Sequence, residues 1–293
     1  MTTTRGFSEF DARWQSNAQL ARDTIALRPT QGIPTWLFQT MQWSQLESLS
    51  GNPPGSYPKE PGRVCLDFML KGPYGGFFTF PGFLYYHYGY ENYFMAYALY
   101  PEVIERGFTI HADTSVVYNR IAARAILEGH LPRLIRLDHD MADSRGTLVD
   151  VKTLDQRWFP HFARAIQPFM DAGIRLIWHC DGNLLEMVPR LLEVGIGGFQ
   201  GFQYEDGMDY ERICQMKTRD GGDLFIIGGV SVTTTLPLGK PAEVKREMDW
   251  LVAKGPKVGL MLGCSSSIAP GVPLENMKTL IDGFAHYRQH GRG

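Results

Sequence analysis

The chain has 293 residues, 44% of them hydrophobic and 20% charged, with a formal net charge of −2. That composition supplies a sizeable apolar core and excludes a disordered chain, and the near-neutral balance gives no basic field for nucleic acid or an anionic membrane surface. Met1 to Arg28 lacks the apolar core of a signal peptide, and no stretch approaches the ~20 apolar residues of a membrane span, so a cytoplasmic enzyme is expected.

In chain order, residues 1–28 read as an N-terminal helical extension, and Pro34 to Phe38 as an opening strand. Residues 51–76 are rich in Gly and Pro and read as excursions from the regular scaffold. Aromatic residues crowd residues 77–100, where core and loop packing is weighed against a substrate wall. Leu134 to Leu137 is a strand running into Asp138-His139-Asp140, and Leu154 to Met170 a long helix. Residues 174–178 form an apolar strand that ends at His179. Leu184, Leu185, Val188, Leu191 and Leu192 follow at amphipathic spacing and are stopped by Gly195. A strand over residues 197–203 leads to a helix from Tyr210 to Thr218. Asp223 to Ile227 is the next strand. Glu243 to Ala253 is a helix, with Pro241 where a first turn tolerates proline. Val258 to Leu262 is a strand, and Leu274 to Tyr287 the closing helix.

Strand and helix thus alternate as βαβ units of a parallel sheet. Polar clusters end nearly every strand: Asp138 to Asp140, His179 to Asp181, Tyr204 to Asp206, and Cys264 to Ser267. An open doubly wound sheet would gather its functional loops at one switch point. Clusters on successive strand ends suit a closed barrel, whose βα loops all face one mouth. The expectation is one domain over residues 1–293, an α/β fold with a single (β/α)8 TIM-type barrel and an irregular N-terminal segment.

The four cysteines (Cys65, Cys180, Cys214, Cys264) are scattered, which favours free thiols or metal ligands over disulfides. His179, Asp181, Glu205 and Cys264 stand at strand ends and are chemically competent to hold zinc. Alternation along a strand puts His179 and Asp181 on one face and turns Cys180 away. Each has an ordinary structural reading as well. Cysteine is among the most buried residue types, a strand-end histidine is often only hydrogen-bonded, and Glu205 and Asp206 favour a helix N-terminus.

Several segments carry a resemblance. Leu137-Asp138-His139-Asp140, Gly146-Thr147-Leu148, His179 through Asn183, Ile227-Gly228-Gly229-Val230-Ser231 and Pro270 through Asn276 occur in that order. With Arg28 to Phe38 at the opening, they are similar to motifs of the superfamily of uroporphyrinogen decarboxylases and cobalamin-linked methyltransferases. The resemblance covers about half the chain. The decarboxylase branch carries arginines after the opening strand to hold a polycarboxylate substrate, whereas Phe38-Gln39-Thr40-Met41-Gln42-Trp43 has none. The zinc methyltransferase branch uses H-x-C, a later glutamate and a second cysteine. His179, Glu205 and Cys264 match that order, and Asp181 departs from it by standing where cysteine is expected.

The resemblance therefore implies a zinc-dependent methyltransferase that moves a methyl group between a corrinoid protein or small donor and a thiol or other small acceptor. His179, Asp181, Glu205 and Cys264 are its metal ligands, and Asp140, His179 and Tyr204 its catalytic residues. The chain has no recognisable corrinoid-binding domain, so any corrinoid would come on a separate partner protein. Two alternatives stay open. One is a metal-free decarboxylase or lyase with Asp138 or Asp140 as acid and His179 as proton relay. The other is a ligand-binding barrel without chemistry, for which Ser231 in place of the family's aspartate speaks.

Overall fold

The computed structural model describes residues 12–36, 43–60, 64, 79–128 and 131–292. Within the expected helical extension, a helix runs over Ala12–Ile25, and residues 1–11 lie outside the described residues. The opening strand is seen as β1 (Thr35–Trp36), and the rest of that expectation, residues 37 and 38, lies outside the described residues, as do Cys65 and most of the Gly/Pro-rich segment. β2 (Leu134–Asp138) precedes a small hairpin of β3 (Ala142–Asp143) and β4 (Gly146–Thr147). β5 (Arg175–His179), β6 (Gly198–Gln200), β7 (Phe225–Val230) and β8 (Leu260–Cys264) follow. No helix among the described residues is long and apolar enough to cross a membrane.

The chain divides into two compact units. The first holds residues 1–74, 210–215 and 225–293. Its strands run in the order β1-β8-β7, all parallel, and β7 and β8 are buried along their whole length. The helix Pro241–Lys254 packs with the helix Leu274–His290. Buried Asn276 donates through Nδ2 to the carbonyls of Leu236 and Gly239, both at 2.8 Å. Tyr210 donates to Leu251 O at 2.9 Å. Near the C-terminus, Arg292 donates to the carbonyls of Val252, Gly255 and Pro256, at the helix end where orphan acceptors and negative dipole charge collect.

The second unit holds residues 75–209 and 216–224. β2, β5 and β6 are parallel, with β5 between the other two. Asp138 lies abreast of His179, and His179 abreast of Gln200. Registered neighbours in a parallel sheet share a face and successive residues alternate. Arg136, Asp138, Ile177, His179 and Gln200 therefore stand on one side. Ile135, Leu137, Leu176 and Trp178 stand on the other, buried, where Trp178 meets Trp158 and Phe162 edge-on. The helix Pro101–Glu128 lies against the helix Phe159–Asp171. Asn119 fastens the two, donating to Ala165 O at 2.8 Å and to Thr79 O at 2.7 Å.

The alternation read from the sequence is what the strands obey, and two of the departures from it have a plain backbone cause. The helix expected over residues 154–170 is two helices, Val151–Arg157 and Phe159–Asp171, meeting at Trp158. Pro160 has no N–H to continue the first helix but suits the opening turn of the second. The strand expected over residues 197–203 closes at Gln200, because Gly201 adopts φ +73°, outside the extended region.

Candidate metal centre

The site is built at the C-terminal ends of β2, β5 and β6. His179 is the last residue of β5 and is buried. Its Nδ1 lies 2.9 Å from the carbonyl oxygen of Gln200. A carbonyl can only accept, so Nδ1 carries the hydrogen and the lone pair of the neutral ring is on Nε2. That nitrogen faces Asp181 Oδ1 at 3.5 Å. Burial first, then the charge of Arg136, push the imidazole toward its neutral form. Asp138, Asp181 and the Gln200 bond pull the other way. An imidazole lone pair and a carboxylate oxygen thus face each other, both of them atom types that ligate cations.

One atom each of Asp138, Asp140 and His179 lie mutually within 4.8 Å, a grouping able to hold a metal ion. Each member is held in place. Asp138 accepts from Arg136 Nη1 at 2.7 Å, while Arg136 Nε donates to Gln200 Oε1 at 2.6 Å. Arg136 is buried, its side chain 8% exposed against 48% for Asp138, so the guanidinium approaches the cluster from beneath. Asp140 accepts the backbone N–H of Asp181 at 2.9 Å and the Tyr86 hydroxyl at 3.4 Å. Its own carbonyl takes the Tyr85 hydroxyl at 2.8 Å.

The residues that lie between these in sequence turn away, as alternation requires. His139 accepts from Phe83 N–H at 2.7 Å and sits among Phe80, Phe83, Tyr85 and Tyr86. Burial pushes its imidazole down to about 4, against partial compensation from Asp140 and Asp138. Cys180 is buried, accepts from Met141 N–H at 3.2 Å and donates to Asp181 O at 3.0 Å. Desolvation holds it as a thiol.

Of the site residues expected from the sequence, Asp140, His179 and Asp181 come together in this unit, with Asp181 beside the grouping. Tyr204 and Glu205 lie on a single 3-10 turn, Tyr204–Asp206, after β6. Tyr204 is half-buried and stacks on Phe202, and Glu205 is exposed. Cys264 belongs to the other unit, where it ends β8, fully buried. Desolvation, and then the charge of Glu247, keep its thiol protonated. Ser231, also in that unit, donates its backbone N–H to Glu247 Oε1 at 2.8 Å.

Sequence reading gave Asp138 only an acid's role and passed over Arg136 and Gln200. The signal that finds them is the period of two carried back from Asp138 and across to the strand beside His179, which needs the pairing as well as the pattern.

Comparison with known proteins agrees with this architecture. The model of the uroporphyrinogen decarboxylase (URO-D) family matches residues 68–287. Among solved structures, a methyltransferase from Methanosarcina mazei is similar with a TM-score of 0.59 at 15% identity, over 92% of this chain and 98% of that one. No curated protein matches.

Proposed function

This chain belongs to the uroporphyrinogen decarboxylase family and has its (β/α)8 TIM-type fold, and within that family we propose that it is a metal-dependent methyltransferase acting on a small thiol or comparable acceptor. The observation that carries the reading is the grouping of Asp138, Asp140 and His179, with the Nε2 lone pair facing a further carboxylate. Three carboxylates around one imidazole make an acidic site. Its buried arginine, Arg136, already donates to Asp138 and Gln200. A substrate carrying many carboxylates would meet repulsion there, and residues 38–43 add no arginine. That the similar solved structure is a methyltransferase supports the same reading.

The donor set fits a divalent cation. His179 through Nε2, with Asp138 and Asp140, would hold it, and Asp181 stands beside them. Imidazole and carboxylate donors suit zinc and also harder ions such as manganese. A bound divalent ion supplies positive charge that acidifies a bound thiol or water. The remaining work belongs to the chain. Gln200 fixes the imidazole tautomer, Arg136 fixes Asp138, and the Tyr86 hydroxyl and Asp181 N–H fix Asp140. The acceptor's sulfur pair forms the new bond to the methyl carbon, and the donor keeps the electrons of the bond that breaks. The thiol proton passes to Asp181. The methyl donor is a small molecule or a separate corrinoid protein, and Tyr204 contacts the bound acceptor.

The test is elemental analysis and calorimetry of full-length protein purified without chelator, titrated with Zn²⁺ and with Mn²⁺. The parent is expected to bind about one equivalent, and His179→Ala to lose it. Asp138→Asn is expected to weaken it roughly 10–100-fold. Cys264→Ala separates the two donor sets: retained metal assigns the site to the carboxylates, and lost metal restores the thiolate. A parent that neither retains nor binds either ion overturns the metal-dependent reading.

A further inference from the structure

The helix Pro101–Glu128 has two apolar faces. Phe108, Ala112, Ser115, Asn119 and Ala123 are buried and point into the molecule. On the opposite side, at 100° per residue, stand Val103, Gly107, Ile110, Thr114, Val117 and Ile121. They succeed one another at alternating intervals of four and three, the seam spacing of paired helices. All six are exposed, the aliphatic four between 58% and 64%. Monomeric proteins rarely leave so regular an apolar row in water.

Gly107 adds an independent observation. Glycine inside a helix is destabilising relative to alanine, and a Cβ built there would meet nothing within 4 Å. Packing among the described residues therefore does not require it. A surface approached closely from outside does.

We propose that this row is a self-association surface, on which a second copy of the chain docks as an antiparallel helix pair. The row is complementary to itself. A two-fold axis level with residue 112 sets Gly107 against Val117 of the second copy and Thr114 against Ile110. Val103 meets Ile121 at each end. In the middle of the contact each large side chain faces a small one, as close helix packing needs. The same axis brings Glu102 beside Arg120 of the second copy, twice over by symmetry, and near Arg124, which also pairs with Glu128 of its own helix at 2.6 Å. The row itself runs for ~27 Å, and its aliphatic side chains are exposed along that length. A parallel pair would set Gly107 against Gly107 and Ile110 against Ile110, leaving a gap beside a clash.

Sedimentation velocity of the full-length protein over micromolar concentrations tests the proposal. A concentration-dependent dimer is expected, and a parent that stays monomeric overturns it, even if another protein binds this helix. Ile110→Glu and Val117→Glu should each weaken the dimer roughly tenfold or more. Leu238→Glu, on an exposed side chain elsewhere, should leave it unchanged. Circular dichroism checks that each variant is folded. A dimer indifferent to both row variants also overturns the proposal. Orientation is read by oxidation: the double variant Ile110→Cys/Thr114→Cys should cross-link two chains where the parent and Ile110→Cys alone do not. Equal cross-linking by Ile110→Cys alone overturns the antiparallel arrangement.

Discussion

His139 shows what a single side chain does to the behaviour of the fold. It lies beside two aspartates, yet burial among aromatic rings dominates and pushes it down to about 4. An unfolded chain holds this imidazole near the ordinary value of ~6.5. Between these values the unfolded state binds more protons, so stability rises with pH through the window and is lost as pH falls from ~6.5 toward ~4. The difference corresponds to about 3 kcal/mol at most. Denaturant melts at stepped pH are expected to show this slope, and His139→Gln, which keeps an acceptor for Phe83 N–H, should flatten it. An unchanged slope would assign the effect elsewhere. At this scale the sequence was legible wherever alternation governs. It put His179 and Asp181 on one face and turned Cys180 away. It could not show that Arg136 lies buried beneath Asp138, because a charged residue inside a strand reads as solvent-facing until its partner is known.

Among elements, the loop after β5 is where geometry is least forgiving. Gly182 has φ +87°, and a Cβ there would lie 2.7 Å from Asp143 O, on the β3–β4 hairpin. The hairpin carbonyl accepts Asn183 N–H at 2.8 Å, so it is held against the loop and has no room to retreat. Gly182→Ala is expected to cost roughly 1–3 kcal/mol. Gly221→Ala is the control. Gly221 has φ +79° and open space around it, so its substitution carries backbone strain without the clash. Urea midpoints of the two should differ, and equal midpoints would show that the hairpin yields. Element positions were largely readable from the sequence, and Gly195 stops its helix in the left-handed conformation as expected. The long helix Pro101–Glu128 was not read, because its inner face mixes Ser115 and Asn119 with apolar residues while its outer face is apolar too. The break at Trp158 was missed because amphipathic spacing continues across it and only Pro160 betrays it.

For the whole molecule, a cation held as proposed at the strand ends would link binding to folding. An ion that binds the folded chain alone, at 100 times its dissociation constant, adds about 2.7 kcal/mol. For a chain of this size that is a rise in melting temperature of roughly 5–10 °C. Differential scanning calorimetry with and without the ion should show it in the parent and not in His179→Ala. The fold class was legible because the repeat of strand, helix and polar strand end runs through the second half of the chain. The set of metal donors was less so, since which strand end meets which is decided by pairing between segments far apart in sequence.

The row formed by Asp138, His179 and Gln200 has a further meaning for how such a protein can change over generations. Each member comes from a different βα unit, and the row is set by where the backbones pair. The loops beyond it can lengthen, shorten or exchange residues without shifting it. The acceptor that selects the His179 tautomer is moreover a main-chain carbonyl, which no point mutation at position 200 deletes. A new side chain there would release Arg136 and leave the imidazole as it was. A change in the loops would thereby leave the nitrogen of the proposed metal site where the sheet puts it.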